Sequence, residues 1–405
     1  MADQFKSVEG DLEQIYVTDY NLIDQQAMTG SLWLWGENSY GRLGDNTRTN
    51  RNSPIQTVSG GTNWKLVASG RWHTAGIKTD GTLWTWGYNT NGELGDNTGG
   101  NGTHKSSPVQ TIAGGTNWKL VAPGRYHTAA IKTDGTLWTW GRNDNSQLGD
   151  NSITKKSSPV QTVAGGTNWK LVAGGFYHTA AIKTDGTLWT WGENTYGTLG
   201  DDTGVAKSSP VQTVAGGTNW KQVAGGNGHT AAIKTDGTLW LWGYNNYGKL
   251  GTNTEVIIHP ASRQSSPVQT VSGGTNWKQV ALGKGYSSAI KTDGTLWLWG
   301  QNDYGGYLGD NTRVHKSSPV QTIAAGTNWK QVASGDGTTA AIKTDGTLWN
   351  WGINFDGRLG NGNTSKRSSP VQTAAGGTNW KSLAGGTYCS AAIHFYEAGN
   401  LYPSS

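Results

Sequence analysis

One cysteine, two methionines and four phenylalanines in 405 residues leave this chain with few of the usual means of stapling or filling a core. Cys389 has no partner for an internal disulfide, which agrees with folding in a reducing cytoplasm. There is no run of about eighteen apolar residues and no charged-then-apolar leader, so neither membrane insertion nor a secretory signal is expected. Charge is sparse too, with 15% charged residues and a net of +5. Thirteen lysines are spread evenly through Ile-Lys-Thr-Asp and Asn-Trp-Lys phrases, which reads as a solvated face. Nucleic acid needs a concentrated basic stripe, and none is visible, so it is not an expected partner. A Ser/His/Asp set, a phosphate-cradling glycine loop and paired cysteines at zinc spacing are all missing, so the chain reads as no enzyme, with no cofactor and no metal.

What is present is repetition. Gly-x-Leu-Trp-x-Trp-Gly begins at Gly30, Gly81, Gly135, Gly186, Gly237, Gly294 and Gly346, at intervals of 51 to 57 residues. Such a period signals a solenoid, propeller or array. Asp80-Gly81 favours a two-residue turn with two positive φ angles, joining Thr74 to Thr79 with Thr82 to Trp86 as a hairpin. Trp64 to Ala68 and Pro54 to Val58 read as further strands, bounded by Gly, Ser, Thr or Asn. Four short strands repeated seven times predict an all-β fold, a seven-bladed β-propeller of four-stranded antiparallel blades.

Seven of the ten prolines open the Pro54-type run, which suits an outermost strand D, because proline tolerates only a strand start or an edge. Trp-Lys-x-Val-Ala is then inner strand A, His-Thr-Ala-Ala-Ile is B and Leu-Trp-x-Trp is C. The chain enters at Gly30 with C and D only and leaves with Trp380 to Ala384 and Cys389 to His394, which are A and B. One blade shared between the terminal strands therefore closes the ring. Of the 22 tryptophans, 21 fall in the framed strand positions and only Trp72 falls outside, so tryptophan is expected to supply the core.

The domain reading is an acidic N-terminal arm at 1–29, the propeller at 30–394 and a tail at 395–405. The arm carries Asp3, Glu9, Asp11, Glu13, Asp19 and Asp24 against Lys6. Its apolar residues suggest that it packs on the ring or on a partner subunit. His73, His127, His178 and His229 recur at the start of strand B, where other blades have Tyr286, Thr338 and Cys389. A position of changeable type reads as a hydrogen-bonding residue and not as a metal ligand. Leu-Gly-Asp-Asn-Thr has oxygens that would suit calcium, but it breaks at Thr252 and Asn361, and Asx turns are the simpler account.

The framed sentence Gly-x-x-His-Thr-Ala-Ala-Ile-Lys-Thr-Asp-Gly-Thr-Leu-Trp-Thr-Trp-Gly-x-Asn-x-x-Gly-x-Leu-Gly resembles the regulator of chromosome condensation repeat family, in its bacterial and viral style, over residues 30 to 394. The resemblance implies the same seven-bladed propeller. It leaves function open, since an exchange factor on chromatin, a plant UV-B photoreceptor and a bacterial β-lactamase inhibitor share the fold. The exchange factor implies basic tails where this chain has an acidic arm. The photoreceptor resemblance rests on Gly70-Arg71-Trp72-His73-Thr74 and Gly124-Arg125-Tyr126-His127-Thr128. Asp19-Tyr20-Asn21-Leu22-Ile23-Asp24 resembles the leaders of propeller proteins in tailed bacterial viruses. The expectation that follows is a non-enzymatic virion tail, baseplate or fibre component, made in the host cytoplasm, binding other subunits through the arm and a host-surface receptor or glycan through the ring. The alternative is a cytoplasmic regulator or inhibitor that binds one cellular protein.

A meander of four strands places A–B turns and C–D connections on one face, which carries the length changes at Gly99 to Lys105 and Glu255 to Gln264. The pair before strand B also varies there. It reads Arg71-Trp72, Arg125-Tyr126, Phe176-Tyr177, Asn227-Gly228, Lys284-Gly285, Asp336-Gly337 and Thr387-Tyr388. Because the last blade closes against the first, Tyr388, Trp72, Tyr126 and Tyr177 occupy four consecutive blades. With Arg71, Arg125 and Phe176 they form the candidate binding site, aromatic and arginine side chains being common anchors of recognition.

Overall fold

The structure, a computed structural model, describes residues 16–17, 30–254 and 263–395. Blade 1 comprises strands A at Trp64–Ser69, B at His73–Lys78, C at Leu83–Gly87 and D at Lys105–Gln110, hydrogen-bonded in that order. Blades 2 to 6 repeat the pattern from Trp118, Trp169, Trp220, Trp277 and Trp329. Blade 7 takes A and B from Trp380–Gly385 and Cys389–Phe395, and C and D from Gly30–Gly36 and Arg51–Gln56. Its seam is continuous antiparallel pairing from Gly30 opposite Phe395 to Gly36 opposite Cys389, so the ring closes through a shared blade. The A strands line a central channel with small residues, among them Ala68, Ala122, Ala173 and Ala333.

Two local expectations are corrected. Of the Asp80-Gly81 pair only Gly81 has positive φ, at +80°. The connection is a three-residue turn, with Gly81 N–H bonded to Lys78 O and Lys78 N–H to Thr82 O. Asp80 is fixed by Thr82, whose N–H and hydroxyl both donate to the carboxylate, the geometry of an Asx turn and not of a left-handed aspartate. The glycine has a second duty. Its carbonyl accepts the N–H of Trp118 in the next blade, and a Cβ there would lie 2.0 Å from Thr116 O. The second correction concerns strand D, which starts three residues before its proline, as in Lys105-Ser-Ser-Pro108. The ladder slips between Thr85 opposite Val109 and Gly87 opposite Lys105, so Pro108 sits in a bulge that asks for no N–H.

One backbone oxygen in each blade anchors the buried tryptophan of the next. In Gly-x-Leu-Gly, which is Ser146-Gln147-Leu148-Gly149 in one blade, the carbonyl of residue x accepts the indole N–H of the second Trp-x-Trp tryptophan in the next blade. Seven such bonds run at 2.8 to 3.0 Å, from Trp86 to Arg42, Trp140 to Glu93, Trp191 to Gln147, Trp242 to Thr198, Trp299 to Lys249, Trp351 to Tyr307 and Trp35 to Arg358. Six of these oxygens also accept a hydroxyl from strand B of the next blade: Thr74, Thr128, Thr179, Thr230, Ser287 and Thr339. The glycine after the leucine makes room for the indole. Gly95 has φ +65°, and a Cβ on it would stand 2.8 Å from Trp140 Nε1.

The recurring histidines complete this junction. His73 Nε2 meets the Thr128 hydroxyl at 2.8 Å, His127 meets Thr179, His178 meets Thr230 and His229 meets Ser287. Because each hydroxyl hydrogen is already directed at a carbonyl, the imidazole must donate, which places its proton on Nε2. Burial holds His73 and His178 down at about 3 and His127 at about 4. The rings stay neutral, and the hydrogen-bonding reading of this position is the one the geometry supports.

Further out, the loop residue after Leu-Gly-Asp reaches the next blade's strand D. Asn46 N–H bonds Ser106 O, with equivalents from Asn97 to Ser157, Asn151 to Ser208 and Asp202 to Ser265. The lysines on the opposite face are less free than expected. Lys78 Nζ lies 5.2 and 4.6 Å over the rings of Trp64 and Trp84, and Lys132 sits likewise over Trp118 and Trp138.

Of the arm, Tyr16–Val17 is a short strand pairing parallel with strand A of blade 4, Tyr16 opposite Gln222 and Val17 opposite Val223. The rest of the arm at 1–29, residues 255–262 of the fifth C–D connection and the tail from 396 lie outside the described residues.

Thr128→Val keeps shape but removes the hydroxyl that serves Glu93 O and His73 Nε2, leaving a buried donor unpaired. Urea unfolding is expected to show a loss of about 1–3 kcal/mol; an unchanged midpoint would show that this bond contributes nothing to blade cohesion.

Candidate functional site

The varied face gathers the predicted aromatics into one sector. Trp72 lies 5.0 Å from Tyr388 across the boundary between blades 1 and 7, and 6.4 Å from Tyr88. Tyr88 lies 6.1 Å from Tyr126, and Tyr126 lies 6.4 Å from Tyr177. The sequence reading missed Tyr88, which completes the row. It also missed Tyr40, which meets Trp72 at 5.5 Å and Tyr88 at 5.0 Å, and His104, stacked 4.9 Å from Tyr88. Tyr40, Tyr88 and His104 come from C–D connections, which the A–B pair could not reveal. The signal available was the residue after each Trp-Gly, which changes from blade to blade: Glu37, Tyr88, Arg142, Glu193, Tyr244, Gln301 and Ile353.

Guanidiniums lie over these rings. Arg71 Cζ is 5.0 Å from both Trp72 and Tyr388, and its Nη2 donates to Tyr388 Oη at 2.6 Å. Arg125 Cζ is 5.0 Å from both Tyr126 and Tyr177, and its Nη1 donates to Tyr177 Oη. Phe176 sits between the two arginines, 5.8 and 5.3 Å from their Cζ atoms, at the upper end of the channel. Beneath Trp72 the wholly buried Arg42 stacks at 4.7 Å, pairs with Glu37 and donates to Arg71 O. Arg358 stacks 4.5 Å from Tyr388 and pairs with Asp356. All seven predicted residues are half-buried, so their bodies are held while their outer faces meet solvent. Beyond Tyr388 the face dips into a depression of about 350 Å³, bordered by Arg358, Tyr304 and Phe355, with Tyr304 57% and Phe355 55% exposed.

Titratable groups lie under this surface without meeting solvent. Glu93 is pushed up to about 7 by burial, against bonds from Asn91 N and Nδ2. Lys249 is pulled down to about 7 by burial, with Nζ on Asn227 O. The buried Cys389 thiol rises to about 11, which holds it protonated and poorly nucleophilic. Asp45, in the loop weighed for calcium, accepts from Thr47, Asn38 and Arg51 instead. Burial works to raise its pKa, yet these bonds hold it below the ordinary value. Among the described residues no group of three or more His, Cys, Asp or Glu could hold a metal ion.

A model of the RCC1-like domain matches residues 4–262, and models of the regulator of chromosome condensation (RCC1) repeat match 236–290, 293–342 and 345–393. The chain belongs to the RCC1-like family. The Arabidopsis thaliana ultraviolet-B receptor UVR8 is 31% identical over 346 residues, spanning 83% of this chain and 76% of the receptor. The human E3 ubiquitin-protein ligase HERC2 is 27% identical over 86% of this chain, which corresponds to only 7% of the ligase. Saccharomyces cerevisiae Prp20p, described with its binding to Gsp1p and histones, superposes with a TM-score of 0.80 at 18% identity, covering 96% of this chain and 94% of its own. Human WBSCR16 gives 0.76 at 20% identity over 90% and 99%. These structural likenesses support the RCC1-like fold.

Gln147 occupies the place of Glu93 one blade on, equally buried, with Asn145 N–H on Oε1 as Asn91 N–H is on the glutamate. Glu93→Gln should therefore fit, with the Asn91 amide turned to accept. A raised carboxyl pKa contributes stability fully below the unfolded value near 4.5 and loses it as pH rises through about 7. The variant is expected to match the parent at pH 4.5 and to exceed it above pH 7 by on the order of 2–3 kcal/mol in urea unfolding. Equal stability at both would place Glu93 in a solvated setting.

Proposed function

We propose that the chain is a non-enzymatic protein-binding regulator that recognises its partner with the sector from Tyr388 to Tyr177. The carrying observation is the unbroken row of rings across blades 7, 1, 2 and 3 with guanidiniums over them. Half-buried aromatics fixed by neighbours bring contact area at little entropic cost, and arginine held against them adds charge without added mobility. The relatives support this reading in kind. Prp20p binds Gsp1p and histones, which are proteins, and UVR8 is a receptor. The virion tail role has no such support from the relatives reported above, and the regulator reading takes its place. No helix among the described residues is long and apolar enough to cross a membrane.

Changing Trp72, Tyr126 and Tyr177 together to alanine is expected to abolish capture of the partner, identified by mass spectrometry on immobilised protein, while the melting temperature moves by only a few degrees. Capture that is unchanged would reject this face. Light scattering on the eluted complex then discriminates the regulator, one chain with one soluble protein, from a symmetric tail-like assembly.

A further inference from the structure

Four other cations of the upper face are paired with carboxylates: Arg42 with Glu37, Arg358 with Asp356, Arg142 with Asp144 and Lys284 with Asp336. Among the described residues Arg71 and Arg125 have none, and each bonds a tyrosine instead. Each spends one nitrogen on a tyrosine hydroxyl, and each has a buried Nε without a hydrogen-bond partner. Both converge on Phe176, and with Lys284 they are the charged residues lining a cavity of about 100 Å³ at the channel's upper end. Among the described residues no acidic side chain lines that cavity.

A second observation points to an extended ligand. Strand A of blade 4 rises from Trp220 at the lower face to Gly225 at the upper, and Tyr16–Val17 pairs with it in parallel at Gln222 and Val223. The channel wall thus accepts a peptide strand that climbs toward the cavity. Ala224 and Gly225, the next positions up that wall, line the cavity itself.

We propose that Arg71 and Arg125, on either side of Phe176, bind carboxylate of an extended acidic peptide lying along blade 4 at the channel mouth. Two unneutralised forks held by tyrosines are pre-oriented for carboxylate oxygens, and the apolar throat lowers the local dielectric around them. The inference rests on the upper face being the working surface and adds the chemistry of what enters it. The chain's own arm is one source of such a peptide and a partner's acidic segment is the other.

The probe is a labelled peptide copying residues 9–24, followed by anisotropy. The protein is the full chain with Glu9→Gln, Asp11→Asn, Glu13→Gln, Asp19→Asn and Asp24→Asn, so that its own arm, left with Asp3 against Lys6, is neutral. Saturable binding is expected, weakened about tenfold by R71Q/R125Q and as strongly when the peptide's acids are replaced by amides. Equal binding by the arginine variant, or by the amide peptide, overturns the proposal. Should the double variant fold poorly, the single variants and a rise in ionic strength, each expected to weaken binding, carry the same test. Weaker binding to the unaltered chain than to the neutral-arm chain identifies the arm as occupant, and equal binding leaves the site to a partner; both support the site. Partner capture lost with the Trp72, Tyr126 and Tyr177 changes alongside peptide binding indifferent to Arg71 and Arg125 would keep the proposed function and reject this site.

Discussion

The ring depends on a single carbonyl per blade, the one in Gly-x-Leu-Gly that accepts from the tryptophan and the strand B hydroxyl of the next blade. A backbone oxygen has two lone pairs, and both are filled here in a place water does not reach. Much of the composition follows from that one contact. The indole must arrive end-on, so the second tryptophan of Trp-x-Trp recurs. A Cβ would block it, so the glycine recurs. The hydroxyl needs a lone pair occupied, so a neutral histidine stands behind it in four blades. Few aliphatic residues are required when large indoles, placed by a directional bond, fill the space between sheets.

Because the acceptor is main chain, the side chain at the same residue is released from any part in closure. It is arginine at Arg42, glutamate at Glu93, glutamine at Gln147, lysine at Lys249 and tyrosine at Tyr307, all buried. These side chains extend beneath the upper surface and brace what stands on it, as Arg42 does under Trp72. The scaffold is thereby insulated from the face, and the face can differ in every blade without loosening the ring.

Strand pattern, blade count and the shared closing blade were legible, since period-two alternation and the C–D, A–B frame leave few other ways to pair the strands. Finer points were lost to tertiary context. Asp80 is held by Thr82 and its glycine is claimed by Trp118 of the next blade, so the isolated preference of Asp-Gly for two left-handed residues gave way. Pro108 looked like a strand start because a bulge cannot be seen without its partner strand. The lysines looked solvated because nothing in a repeat says that Lys78 lies over two indoles. In the candidate site, the A–B pair stood out by its variation. Tyr40 and Arg42 did not, since they come from another connection and join Trp72 only when blades 7 and 1 meet, while Tyr88 reaches it from the C–D connection of the same blade.

The seam of blade 7 also fixes where the ring begins and ends in space. Gly30 stands opposite Phe395, so chain enters and leaves side by side at the edge where strand C starts and strand B finishes. That edge is the lower one, away from Trp72 and Tyr126. A tether joined to the ring at Gly30 or at Phe395 therefore holds it like a lamp on its stem, with the aromatic sector turned outward in both cases.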